Sequence, residues 1–202
     1  GEGGGSIAWI DDFGVLKVGP ESAGSNPGPA CFCLGGTSPT ITDAFAVSGF
    51  LVSENLGYGS VSLDIEKAQQ AISVISQRLG KGDFEVAESI INIAVSGMFL
   101  ETSKLLSRRG VDHRHFSLVA FGGAGPMLAC HLTRDLGLAE VIVPLTPGVL
   151  SAYGGLIANV KNDFIRTVFV KVDADGLSVI IEVAETLEHE ALNWLHKEQG
   201  FD

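Results

Sequence analysis

The sequence predicts an α/β protein, and three features of its 202 residues carry that prediction. The first is an alternation between residues 116 and 158. An apolar β-type run (Phe116–Phe121) enters a glycine turn (Gly122–Gly125), a helix (Pro126–Leu136), a second β run (Val141–Pro144) and a further helix (Leu150–Ala158). Connections this short between strand and helix imply parallel strands with helices laid on them. The second is a helical middle with apolar residues at three- and four-residue steps. The third is composition: 46% hydrophobic against 18% charged residues is ample material for a core.

Taken in order, residues 1–60 read as short strands and structured turns. Ser6–Ile10 and Val15–Val18 flank Asp12-Phe13-Gly14 as a hairpin. The dense run from Gly19 to Pro29 is expected to be irregular, because Pro removes donors and Gly favours positive φ. Thr42-Asp43 reads as the N-cap of a short apolar helix, Ala44–Phe50. Asp64–Leu79 places Ile65, Ala68, Ile72, Ile75 and Leu79 on one face and stops at Gly80. A longer helix runs from an Asp83 N-cap to Gly110, apolar around much of its first four turns and hence a core helix. After the alternating segment, a final strand (Phe164–Val172) and an amphipathic helix (Gly176–Lys197) are expected.

Composition also excludes. A formal charge of −11 is the wrong sign for a nucleic-acid partner. The one tight basic cluster, Arg108, Arg109, His113, Arg114 and His115, fits the end of a helix, where cations are favoured. No apolar run reaches the roughly 18 residues of a membrane-spanning helix. Three cysteines (Cys31, Cys33, Cys130) are odd in number and too few for a disulfide scaffold, and no secretory signal opens the chain, so the expected compartment is the cytoplasm. The chain opens on Gly and ends inside a helical pattern, which reads as a piece of a longer polypeptide.

The most informative motif is Phe121-Gly122-Gly123-Ala124-Gly125-Pro126, where a strand runs through three glycines into a helix. Without a Cβ the backbone can approach a ligand, and the free N–H groups at the helix start favour an anion. Gly122, Gly123 and Gly125 are therefore candidate nucleotide contacts through backbone N–H; the alternative is a tight turn with no ligand. A dinucleotide fingerprint fits poorly, because Leu128 stands where the third glycine belongs. The opening Gly4-Gly5-Ser6 offers a second close-approach backbone or, equally, a flexible end. The pair Thr42-Asp43 is either a helix cap or a polar contact to substrate or nucleotide. Cys31 and Cys33 are one residue apart where zinc sites use two, so no metal site is expected. Gly35-Gly36-Thr37-Ser38 mimics a phosphate-binding turn, but Cys33 stands where actin-like nucleotide folds carry Asp. No nucleophile elbow is present, and Cys31 could act as a nucleophile only beside a base. No catalytic residue is assigned.

Together, Gly3–Ala8, Val18–Gly24, Pro27–Cys31, Pro39–Ala44, Phe121–Pro126 and Pro147–Ala152 resemble, in order and spacing, the hydantoinase A/5-oxoprolinase family, which includes acetone carboxylase-type subunits. The resemblance covers roughly residues 1 to 165. It implies a ribonuclease H-like, actin-like ATPase lobe: a mixed sheet flanked by helices, the later of two lobes that clamp ATP. Residues 1–162 would form that lobe and residues 163–202 a following strand–helix segment. The glycines at 122, 123 and 125 match the turn that faces the nucleotide, with Gly4, Gly5, Ser6 and Asp43 as further contributors to the cleft. The implied reaction is ATP-dependent opening of a cyclic amide (hydantoin, 5-oxoproline or another lactam), with ATP and Mg2+, completed by a partner subunit or domain. ATP-driven carboxylation and a non-catalytic regulatory or scaffold domain are the alternatives; a free-standing binding module is a third. The sequence departs from the family at Cys33-Leu34 and at Met127-Leu128, where a Leu-His pair is common.

Overall fold

The computed structural model describes residues 3–51, 55–56 and 61–201. It divides into two compact units, residues 1–154 and 155–202.

Unit one begins with an antiparallel hairpin, β1 (Ser6–Ile10) and β2 (Leu16–Ser22). Asp11 closes its turn: one carboxylate oxygen accepts the N–H groups of Phe13 (3.0 Å) and Val15 (2.9 Å). These hydrogen bonds, Val15 first, hold the carboxyl below its usual range, with Lys17 contributing. Here the structure corrects the sequence reading: β2 continues through Gly19-Pro20 to Ser22, into the stretch expected to be irregular. The pairing absorbs the missing donor through a register shift between Ser6 and Ala8, where β1 spans fewer residues than β2.

Helix α1 (Ile41–Val47) starts three residues earlier than expected. Its N-cap is Thr40, and Asp43 closes a capping box three residues in. The Thr42-Asp43 pair is therefore inside the helix and is not its N-cap, because Thr40 takes that position and Asp43 caps it from the third helical residue. Asp43 is fully buried, and its carboxylate accepts four hydrogen bonds. The donors are Thr40 N–H (2.9 Å), Thr40 Oγ1 (2.7 Å), Ala30 N–H (3.3 Å) and Cys31 N–H (2.8 Å). The last two belong to a 3-10 turn, Ala30–Phe32, which is thereby latched onto the start of α1. Burial, and secondly the nearby Asp43 charge, push the Cys31 thiol far above its usual pKa. The thiolate needed for nucleophilic attack is suppressed there.

A two-stranded antiparallel pair, β3 (Asn55–Leu56) and β4 (Val61–Ser62), precedes α2 (Ile65–Leu79). Asp64 caps α2 and Gly80 ends it in the left-handed region (φ 66°), as the pattern predicts. Helix α3 (Asp83–Arg108) is capped by Gly82, so Asp83 is its first residue and not its N-cap. Its buried residues, Val86, Ala87, Ile90, Ile91, Ala94 and Val95, all lie in its first half. They form the core with Ile41, Ala44 and Phe45 of α1, Ile72 and Ile75 of α2, and Ala8 of β1. The centre of unit one is thus a three-helix packing that the hairpin covers.

Downstream, β5 (Ser117–Val119), α4 (Gly125–Leu136) and β6 (Glu140–Ile142) form a parallel β–α–β unit, and Gly137 ends α4 at φ 65°. Leu128 of α4 joins the core at 1% exposure. Helix α5 (Leu150–Ile157) follows. The strands do not merge into one mixed sheet as expected: the described residues contain three separate two-stranded sheets. The cause is local. Long helices separate the hairpin from the single β–α–β crossover, and one crossover pairs two strands only.

In unit two, the strand expected at Phe164–Val172 does not form. No strand pairs with it among the described residues, and Ile165, Phe169 and Val172 stand 86%, 95% and 96% exposed. The amphipathic helix does form, as α6 (Ala174–Asn193), capped by Asp173 and continued by a π-helical turn, Trp194–Glu198. Phe164 packs edge-on against Trp194, and Arg166 pairs with Glu190 (2.9 Å).

Two outcomes are expected. Asp43→Ala leaves buried donors on three residues without an acceptor and destabilises unit one by about 3 kcal/mol or more, read as a lower urea midpoint. Iodoacetamide at roughly pH 8 labels the exposed Cys33 and Cys130 in the native protein but reaches the buried Cys31 only after unfolding. Mass spectrometry counts the labels. The Cys31 thiol is raised in the folded state, so its linkage to stability is intact below the unfolded pKa and is lost as pH rises above it.

Candidate functional site

Two glycine turns meet at one cavity of about 600 Å3. The first is Gly4-Gly5, ahead of β1. Thr42 ties it to α1, donating both its N–H and its hydroxyl to the Gly4 carbonyl (2.9 Å each). The Gly5 carbonyl accepts the Ala23 N–H (2.8 Å), which fixes the far side of the hairpin. A Cβ on Gly4 would fall 2.6 Å from Thr42 Oγ1 and 3.1 Å from the Ala124 Cβ, so this position must be glycine for the two turns to approach.

The second turn is Gly122-Gly123-Ala124, between β5 and α4. Ala120 donates to the Ile142 carbonyl (2.9 Å), extending the β5–β6 pairing to the edge of the turn. Gly122 adopts φ +86°, which sends the chain from strand to helix. Its N–H donates to the Pro147 carbonyl (2.8 Å) and draws the Pro147-Gly148 segment into the wall. Gly122 therefore shapes the cavity, and its N–H is already committed. Among the described residues the N–H groups of Gly123, Ala124 and Gly125 have no protein acceptor.

Of the residues expected to form a cleft, Gly4, Gly5, Gly122 and Gly123 line this cavity. Gly125 instead borders a smaller one of about 160 Å3, beside Met98 and Leu132. Ser6 is 1% exposed and holds the Gly3 N–H (3.1 Å), and Asp43 is committed to the latch; neither lines the cavity. The motifs did not assign Gly24, Ser25, Phe32, Leu51 and Met127 to the wall, whereas Thr42, read with Asp43 as a polar contact, does line it. The Thr42-Asp43 pair is the signal that marks Thr42. Phe32 and Leu51 carry no such signal, because only tertiary packing turns them inward. The departure at Met127-Leu128 divides between two environments: Met127 faces the cavity and Leu128 the core.

Among the described residues no charged side chain lines the cavity. Its walls are glycine backbone, proline rings, and the side chains of Phe32, Leu51, Ala124 and Met127, with Thr42 and Ser25 supplying hydroxyls. Such a lining suits an uncharged, partly apolar group held by a few polar contacts. It offers a Mg2+ ion no carboxylate ligand, and among the described residues no three His, Cys, Asp or Glu side chains cluster as a metal site. No helix among the described residues is long and apolar enough to cross a membrane.

Comparison with known proteins gives this geometry a context. Residues 1–164 match the family described as Hydantoinase/oxoprolinase. The chain is 38% identical to the caprolactamase subunit alpha of Pseudomonas jessenii over 174 residues, 86% of this chain and 25% of that protein. It is 42% identical to the acetophenone carboxylase gamma subunit of Aromatoleum aromaticum over 162 residues, 79% of this chain and 22% of that one. The crystal structure of the ATP-dependent caprolactamase from Pseudomonas jessenii aligns at a TM-score of 0.70 and 32% identity, covering 98% of this chain and 29% of that one. A nucleotide-free acetone carboxylase structure aligns at 0.76 and 28% identity, covering 100% and 30%. The chain thus spans from 12% to 25% of the length of the curated relatives it matches. With the family matched over most of its residues, this chain belongs to the hydantoinase/oxoprolinase family.

Proposed function

We propose that this chain is the nucleotide-facing lobe of an ATP-dependent enzyme that opens a cyclic amide. The observation that carries the reading is the meeting of the Gly4-Gly5 and Gly122-Gly123 turns around one cavity without charged walls. An uncharged, partly apolar cavity suits the nucleoside half of ATP and not its triphosphate. The uncommitted N–H groups of Gly123, Ala124 and Gly125, at the start of α4, then point to where a phosphate would lie. In this reading the amide oxygen of the substrate takes the terminal phosphoryl group of ATP with ADP leaving, which makes the ring carbon more electrophilic; water then adds to that carbon, the ring C–N bond breaks with the nitrogen taking a proton, and inorganic phosphate departs. Relatives named for lactam hydrolysis support it. Within this reading the chain supplies nucleotide contacts, while the groups that hold the triphosphate, any Mg2+ and the substrate come from the rest of the polypeptide or from a partner subunit.

A second reading, ATP-driven carboxylation, is favoured by the identity to the acetophenone carboxylase gamma subunit and by the likeness to acetone carboxylase. Both readings use the same nucleotide cavity and differ in what receives the phosphoryl group.

Gly123→Val tests the shared part. A Cβ at Gly123 meets no atom within 4 Å, so the substitution projects into open space and leaves the fold intact. ATP affinity of the whole protein, measured by calorimetry, is expected to fall by roughly tenfold or more, with a thermal midpoint within about 2 °C of the parent. Unchanged affinity would overturn the nucleotide assignment. The two chemistries separate by ATP turnover: stimulation by a lactam or hydantoin alone supports ring opening, and a requirement for bicarbonate together with a ketone supports carboxylation.

A further inference from the structure

We propose that a second cavity in unit one binds a small oxyanion, of the phosphate or carboxylate class, independently of the nucleotide. This cavity, of about 380 Å3, lies between the Gly35-Gly36-Thr37 turn and one face of α2. It shares a wall with the first: Pro29 and Phe32 line one cavity, while the adjacent Ala30 and Cys33 line the other. The latched Ala30–Phe32 turn is the partition between them.

Donors converge on it from both sides. The N–H groups of Gly35, Gly36 and Thr37 have no protein acceptor among the described residues, and three successive free amides in a turn form an anion-binding concavity. The turn is held in place by close packing. A Cβ at Gly36 would lie 2.1 Å from the Gly28 carbonyl oxygen, and Gly35 adopts φ +99°. Opposite, α2 contributes the Lys67 ammonium and the Gln70 amide over a floor of Ala71 and Val74. Among the described residues Lys67 makes no ion pair, as is also true of Lys171 and Lys197 in unit two, whereas the other lysines of unit one, Lys17, Lys81 and Lys104, each meet a carboxylate.

The sign of the ligand follows from the lining. Among the described residues no carboxylate lines the cavity, so they offer a cation no ligand there. The nearby Asp64 is already engaged: one oxygen accepts the Lys67 N–H (3.1 Å), which fixes the first turn of α2, and the other accepts the Cys33 thiol (3.9 Å). An ammonium, a hydroxyl, an amide and free backbone N–H groups together make a donor set for an oxyanion. The volume leaves room for the small molecule that carries it.

Equilibrium dialysis of the whole protein against radiolabelled inorganic phosphate tests the site. Saturable binding is expected. Lys67→Gln should weaken it roughly tenfold or more, Lys67→Arg should retain it, and Gly123→Val should leave it unchanged. Lys67 is exposed, so an unaltered urea midpoint confirms that the Gln variant is folded. Displacement of phosphate by acetate shows a site for oxyanions generally, and resistance to acetate a site for phosphate. Absence of saturable binding would overturn the proposal, as would loss of binding in Gly123→Val with Lys67→Gln unaffected. That last pattern would assign the phosphate to the nucleotide cavity instead.

Discussion

A single buried carboxylate organises unit one. Asp43 has no access to solvent, and a charge in that position is tolerable only because four donors surround it. Two of them come from Thr40, which starts α1, and two from the turn at Ala30 and Cys31, so that one group joins segments more than ten residues apart. Because Pro29 and Phe32 of that turn line the glycine cavity, and Ala30 and Cys33 line the neighbouring one, both cavities depend on the latch. The residue that sequence motifs mark as a candidate ligand contact shapes the site from behind it.

The glycine cavity is built by backbone more than by side chains. Gly4 permits contact between the two turns, and Gly122 bends the chain and recruits Pro147 through its N–H. Each glycine therefore has a separate geometric task, and they are not interchangeable donors. Under the proposed reading, a wall without charge among the described residues also limits what the chain can do by itself, since phosphoryl transfer relies on electrostatic stabilisation of a highly charged transition state. That limit accords with a chain that spans a quarter or less of its relatives' length.

The core explains why the architecture differs from a simple layered sheet. The largest buried side chains, Phe45, Ile41, Ile72 and Ile90, sit on three helices. The hairpin and the β–α–β unit attach to this helical centre through Ala8 and Leu128. In unit two Asp173 caps α6, Phe164 and Arg166 reach Trp194 and Glu190, and the apolar residues at 165, 169 and 172 remain outside any strand pairing among the described residues.

Local chemistry made much of this legible in advance. The start and stop of α2, at Asp64 and Gly80, and the stop of α4, at Gly137, follow from capping preferences that act over three or four residues. The hairpin turn and the parallel β–α–β order follow from patterning of the same range. So does the family, because its motifs are short and their order is preserved. Tertiary structure alone decided the rest. The extension of β2 through Pro20 and the failure of Phe164–Val172 to become a strand depend on whether a partner strand is present, which no local pattern encodes. The burial of Asp43, the commitment of the Gly122 N–H, and the inward turn of Phe32 and Leu51 depend on contacts between segments distant in sequence. Sequence patterning reports which residues need burial or a hydrogen-bond partner; only packing determines which partner each one finds.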